Sequence, residues 1–157
     1  MKAAVFSDTH GFTGYMISAV RRCRPDVIIH LGDCERDAEV LRAEFPALPL
    51  YNVRGNCDLG GTAPDWDVVP LGPVKAYITH GHMFYVKYGR LDSLVYAAQE
   101  QGARLAMFGH THTADIEEMG GVKLLNPGTA GSGRVLTWAL VEVFDNGGIA
   151  CEIKGFD

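Results

Sequence analysis

Cysteine is sparse, with four in 157 residues, and Cys23, Cys34, Cys57 and Cys151 include no Cys-x-x-Cys pair. Such spacing gives no support to a disulfide scaffold or a thiolate-rich zinc module, and isolated thiols suit a reducing, cytoplasmic compartment. Basic residues are outnumbered, 14 Lys and Arg against 19 Asp and Glu, for a formal charge of -5. With no Lys/Arg run, general attraction to nucleic acid or an anionic membrane is unsupported, although bound cations would reverse the sign locally. No apolar run is long enough to span a bilayer, and no secretory pattern is present, so neither secretion nor membrane insertion is expected. Repeats, low-complexity tracts and an internal linker are missing too. One domain over residues 1–157 is the expectation.

What is present is the composition of a folded protein, 47% apolar and 21% charged, with 19 glycines for tight turns. "KAAVFS", "DVIIHL" and "LPLYNV" read as buried strands. Between them, Met16, Ile17, Val20 and Cys23 mark a helix ended by Pro25, and Ala38, Leu41 and Phe45 mark a second from Asp37 to Phe45. This alternation predicts parallel strands with helical crossovers. "WDVV" and "VKAYITH", separated only by "PLGP", predict an antiparallel pair. Leu91, Leu94, Val95 and Ala98 mark a third helix before "RLAMFGH". "TADIEEM", "GVKLLN", "VLTWALVEVF" and "GIACEIKGF" are further strands, with Asn146-Gly147 as a hairpin signal.

Metal-capable residues follow the apolar strands directly. Asp8 and His10 follow the first, Asp33 the second and Asn56 the third; His80 and His82 follow "AYIT", and His110 and His112 follow "LAMF". In open α/β sheets, ligands bind outside the carboxyl ends of strands, so separate loops converge there. Carboxylates, imidazoles and an amide oxygen together suit divalent cations of intermediate hardness. Taken singly, Asp8 or Asp33 reads more readily as a helix cap, and His30, inside an apolar run, as a hydrogen-bonded core histidine. The combination does not reduce to unrelated surface residues.

The ordered elements "SDTHG", "HLGD", "RGNCD", "THGH", "FGHTH" and "LNPGT" resemble those of the calcineurin-like metallophosphoesterases, especially their small bacterial and archaeal phosphodiesterase branch. The resemblance spans Ser7 to Thr129. It implies an α/β fold with a two-sheet β-sandwich flanked by helices. It also implies two divalent metal ions, Mn first, with Ni, Zn, Fe or Mg as alternatives. Asp8, His10, Asp33 and His112 would hold one ion, and Asp33, Asn56, His80 and His110 the other. Asp33 would bridge them. The implied reaction is hydrolysis of a phosphodiester by a metal-bridging hydroxide, with Asp33, Asn56 and His82 at the chemistry.

Many relatives have histidine where this chain has Cys57, whose thiol cannot carry imidazolium charge. Cys57 therefore reads as a supporting residue rather than a nucleophile. Asp58 is expected to orient Asn56 or Cys57, and Asn126 and Gly128 to place the metal-binding loops. His82 has two open roles, positioning the phosphate or its leaving group, or supporting its neighbours. A small, nucleotide-derived diester is the expected substrate, with specific nucleic-acid binding disfavoured. Phosphomonoester hydrolysis and a metal-binding protein-interaction scaffold are the alternatives. The resemblance leaves a homodimer or larger homo-oligomer open.

Overall fold

The computed structural model describes residues 1–156. The first sheet contains β1 (Lys2–Phe6), β2 (Val27–His30), β3 (Leu50–Asn52), β9 (Thr137–Val143) and β10 (Ile149–Gly155), ordered β10-β9-β1-β2-β3. Its β1, β2 and β3 run parallel, while β9 and β10 form an antiparallel extension beside β1. The second sheet contains β4 (Trp66–Leu71), β5 (Val74–Thr79), β6 (Leu105–Met107), β7 (Ala114–Met119) and β8 (Val122–Pro127), ordered β4-β5-β6-β8-β7. Here β5, β6 and β8 are parallel and the two edges are antiparallel hairpins.

The period-two alternation of a strand explains why the central segments are apolar at every position. In β1, Ala3 and Val5 face the second sheet and pack with Ile29, Leu31, Ile78, Met107 and Leu125. Ala4 and Phe6 face the other way, against Met16, Ala19 and Val20 of α1 (Gly14–Cys23) and Ala38 and Leu41 of α2 (Glu35–Glu44). On the outer face of the second sheet, Tyr77, Ala106 and Leu124 meet Leu94, Val95 and Ala98 of α3 (Asp92–Glu100). The result is two mixed sheets packed face to face and flanked by three helices, in agreement with the expected fold class.

The second helix differs from its periodicity at both ends: α2 begins at Glu35 rather than Asp37 and ends at Glu44, with Phe45 as its C-cap. Cys34, at φ 105, turns the chain sharply into the helix. The Asp58 carboxylate then accepts hydrogen bonds from the Cys34 and Glu35 N–H groups at 2.9 and 2.8 Å. A cap supplied from 23 residues away leaves no local signal. Among the described residues, no helix is long and apolar enough to cross a membrane.

Candidate metal centre

Five strands, β1, β2, β3, β5 and β6, end at one edge of the sandwich, and the predicted polar residues occupy the loops that follow. Among the described residues, seven of the eight non-glycine residues with positive φ lie in these loops: Asp8, His10, Asp33, Cys34, Tyr85, His110 and His112. The eighth, Arg24, only caps α1. Backbone held in a sparsely populated region is affordable where the surroundings enforce it, and here that strain concentrates around one cluster. Close approaches in these loops require glycine. A Cβ on Gly55 would collide with the Asp33 carboxylate, and one on Gly109 with Ser7 Oγ.

Asp8, His10, Asp33 and His112 each direct a donor atom into a space no wider than 4.8 Å between any two donors. Asp8 is fully buried, and its Oδ2 accepts from Ser7 Oγ at 2.6 Å and from the His110 N–H at 3.1 Å. Its Oδ1 makes no hydrogen bond, although His112 Nε2 is 3.1 Å away. A buried carboxylate oxygen without a donor is strongly unfavourable unless a cation faces it.

A second set of acceptors adjoins the first. His80 donates from Nδ1 to the Leu31 carbonyl at 2.7 Å, which in the neutral ring leaves a lone pair on Nε2. That atom faces Asn56 Oδ1 at 3.1 Å and Asp33 Oδ2 at 3.4 Å. Three acceptors pointing at one another need a positive charge among them, either a proton or a metal ion. His110 joins from the side, its ring 5.0 Å from that of His80. Asp33 thus belongs to both sets, while its Oδ1 accepts the Cys57 N–H at 3.0 Å. The donor chemistry and the orphaned Asp8 oxygen fit one or two divalent cations.

Electrostatics separate the imidazoles. Burial by itself would lower His80, but its hydrogen bond to Asp33 and the charges of Asp8 and Asp33 outweigh burial and raise its pKa. His110 is pushed down to about 4 by burial and the nearby His80 charge. For His82 burial and then His80 act in the same downward direction. Burial favours a protonated Asp33, yet the His80 hydrogen bond and charge and the Cys57 N–H hold its carboxyl well below the usual range. The Cys57 thiol is raised by burial and then by the Asp33 charge, which keeps it protonated.

The remaining predicted residues take varied positions. His82 packs its ring 5.5 Å from His80 and 6.1 Å from His110, with a buried Nδ1 that has no partner. Asn126 donates to the Gly109 carbonyl at 3.1 Å and to Thr111 Oγ1 at 2.9 Å, tying down the loop between His110 and His112. Gly128 donates its N–H to Asn126 Oδ1. The Asp58 carboxylate makes no hydrogen bond to the side chain of Asn56 or Cys57, which it was expected to orient. Its carboxylate instead accepts from the N–H groups of Asp33, Cys34, Glu35 and Gly55, locking the loops after β2 and β3 together.

Sequence reasoning missed further braces. Ser7 holds Asp8, and the buried Thr129 hydroxyl donates to the Asp8 carbonyl at 2.9 Å. His30 is fully buried, as its apolar setting implied. It accepts the Gly32 N–H at Nδ1, so its neutral Nε2–H donates to Thr9 Oγ1 at 3.0 Å, and Thr9 passes the relay to the Asp33 carbonyl. Ser7 and Thr129 stood inside the quoted motifs, but their targets are set only by the folded loops.

Comparison with known proteins agrees with this geometry. The model of the "Calcineurin-like phosphoesterase superfamily domain" matches residues 1–146. The chain is 36% identical over 132 residues to the probable metallophosphoesterase YsnB of Bacillus subtilis, covering 82% of this chain and 75% of YsnB. Its fold is similar to Vps29 complexed with zinc from Entamoeba histolytica, with a TM-score of 0.77 at 21% identity and full coverage of both chains. It is also similar to a novel archaeal phosphodiesterase, with a TM-score of 0.71 at 21% identity, covering 98% of this chain and 100% of that one. The chain belongs to the calcineurin-like phosphoesterase superfamily.

Proposed function

We propose that this protein is a divalent-metal-dependent phosphodiesterase. The observation that carries the reading is the sharing of Asp33 between two adjoining donor sets, Asp8/His10/His112 on one side and Asn56/His80/His110 on the other. Two divalent cations, Mn in first place, would supply an acidified water as nucleophile and neutralise charge on the attacking and leaving oxygens. The protein's own part is to fix the ligands beforehand. Ser7, Thr129 and the His110 N–H orient Asp8, Cys57 N–H orients Asp33, and the Leu31 carbonyl sets the His80 ring. His82, beside His80 and His110, donates to a phosphoryl oxygen and orients the ester. Cys57 contributes its backbone, with the thiol outside the reaction.

The alternative acid step, with Cys57 in place of the histidine of many relatives, gains nothing from a thiol that its surroundings keep protonated. Four free thiols suit a reducing cytoplasm as the site of action. The reading is tested by stripping all metal, restoring manganese and comparing matched monoesters and diesters. Restored turnover with diesters ahead is expected. Faster monoester hydrolysis would overturn the substrate class, and metal-independent turnover would overturn the mechanism.

A further inference from the structure

Two clefts meet at the metal cluster. The larger, of about 640 Å³, includes His10 and Cys57 in its wall. The smaller, of about 410 Å³, includes His112. The His10 and His112 rings are 5.5 Å apart, and both residues are in the donor cluster, so the cluster sits where the clefts join. A phosphate monoester has one organic arm and would use one cleft. A diester has two.

The larger cleft has a charge pattern that discriminates further. Three of its lining residues are acidic, but each is already engaged. Glu35 accepts from the Thr62 and Ala63 N–H groups, Asp58 accepts from four backbone N–H groups, and Glu39 pairs with Arg42 at 3.3 Å. Arg36, exposed on the first turn of α2, makes no hydrogen bond or ion pair among the described residues and is the cleft's uncommitted cation. Because Asp58 already occupies the N–H groups at the start of α2, an anion entering here meets the guanidinium rather than the helix end. Leu59, almost fully exposed on the same wall, offers an apolar surface to a ring.

We propose that the two clefts hold the two arms of one phosphodiester, and that Arg36 selects an arm bearing a second phosphate. The inference rests on the phosphodiesterase reading and narrows its substrate to a short, terminally phosphorylated, nucleotide-like diester. A planar guanidinium forks onto phosphate oxygens, and a charge-assisted contact of this kind corresponds to about tenfold or more in affinity.

The test is calorimetric titration of manganese-loaded protein with two non-hydrolysable dithymidine methylenephosphonates, one carrying a 5′-terminal phosphate and the other lacking it. The phosphorylated ligand should bind about tenfold tighter to the parent. Arg36→Ala should remove that preference. Arg22→Ala, which removes an equal charge from the far end of α1, should keep it. Equal affinity of the parent for both ligands, or a preference that survives Arg36→Ala, would overturn the proposal. Turnover of bis(p-nitrophenyl) phosphate, measured alongside, separates the two claims: its absence with the preference intact sinks the hydrolase reading alone.

Discussion

The two sheets contribute unlike halves of the centre. Loops of the first sheet supply Asp8, His10, Asp33 and Asn56, and the two carboxylates are braced by hydrogen bonds from backbone and hydroxyl groups. Loops of the second sheet supply four imidazoles, of which His80 alone is fully buried and pinned, to the Leu31 carbonyl. Negative charge is therefore held by rigid loops on one side and met by more exposed rings on the other. The bonds that staple the halves include His110 N–H to Asp8, the Thr129 hydroxyl to the Asp8 carbonyl and His80 to Leu31. On the proposed reading, the carboxylates would set the site's position and the histidines would complete its coordination.

The strongest way to break that division is Asp33→Asn. The shared carboxylate then loses its charge, and we expect kcat/KM for a diester to fall about a thousandfold, about 4 kcal/mol of transition-state stabilisation. Steady-state kinetics on folded, metal-analysed protein checks this. A comparable loss in His112→Ala with no loss in Asp33→Asn would reverse the roles of the two halves.

The buried histidines sharpen the comparison through pH. His30 is lowered from 6.5 to about 4 by burial, so the unfolded chain takes up its proton first as pH falls. Its contribution is fully present above about pH 6.5 and is lost between there and about pH 4, by roughly 3 kcal/mol in total. Urea unfolding of metal-free protein across this range, parent against His30→Gln, should show the steeper acid loss in the parent. Identical slopes would contradict the neutral relay from Gly32 to Thr9.

Asp58 gauges the bracing on the carboxylate side. Asp58→Ala frees four N–H groups at once and should lower stability by about 2 kcal/mol, read from the denaturant midpoint. Asp58→Asn should recover part of this. The smallest effect belongs to Cys57→Ser. Because the backbone N–H is what Asp33 uses, turnover should stay within about threefold of the parent, under 1 kcal/mol.

Much of the centre was legible because metal-capable residues sit directly after strands, where a parallel sheet sends every loop to the same edge. The seven first-contact candidates, Asp8, His10, Asp33, Asn56, His80, His110 and His112, are drawn from those positions. The supporting bonds were harder to read. Asp58 reaches back 23 to 25 residues to the loop after β2, and Glu35 spans 27 and 28 to Thr62 and Ala63. No periodicity encodes such contacts, so the sequence alone points Asp58 to its chain neighbours and α2 to a later start. His30 and His80 show a further limit. Both are fully buried histidines at strand ends, yet one is shifted down and the other up, because only His80 faces two carboxylates at close range.

The central claim is that two cation sites share Asp33 across the junction of the sheets. The most direct measurement is manganese stoichiometry and affinity, by calorimetry with elemental analysis, for the parent, His112→Ala, Asn56→Ala and Asp33→Asn. Two ions are expected in the parent, one retained in each of His112→Ala and Asn56→Ala, and neither retained at parent affinity in Asp33→Asn. Two ions bound at parent affinity by Asp33→Asn would contradict that claim.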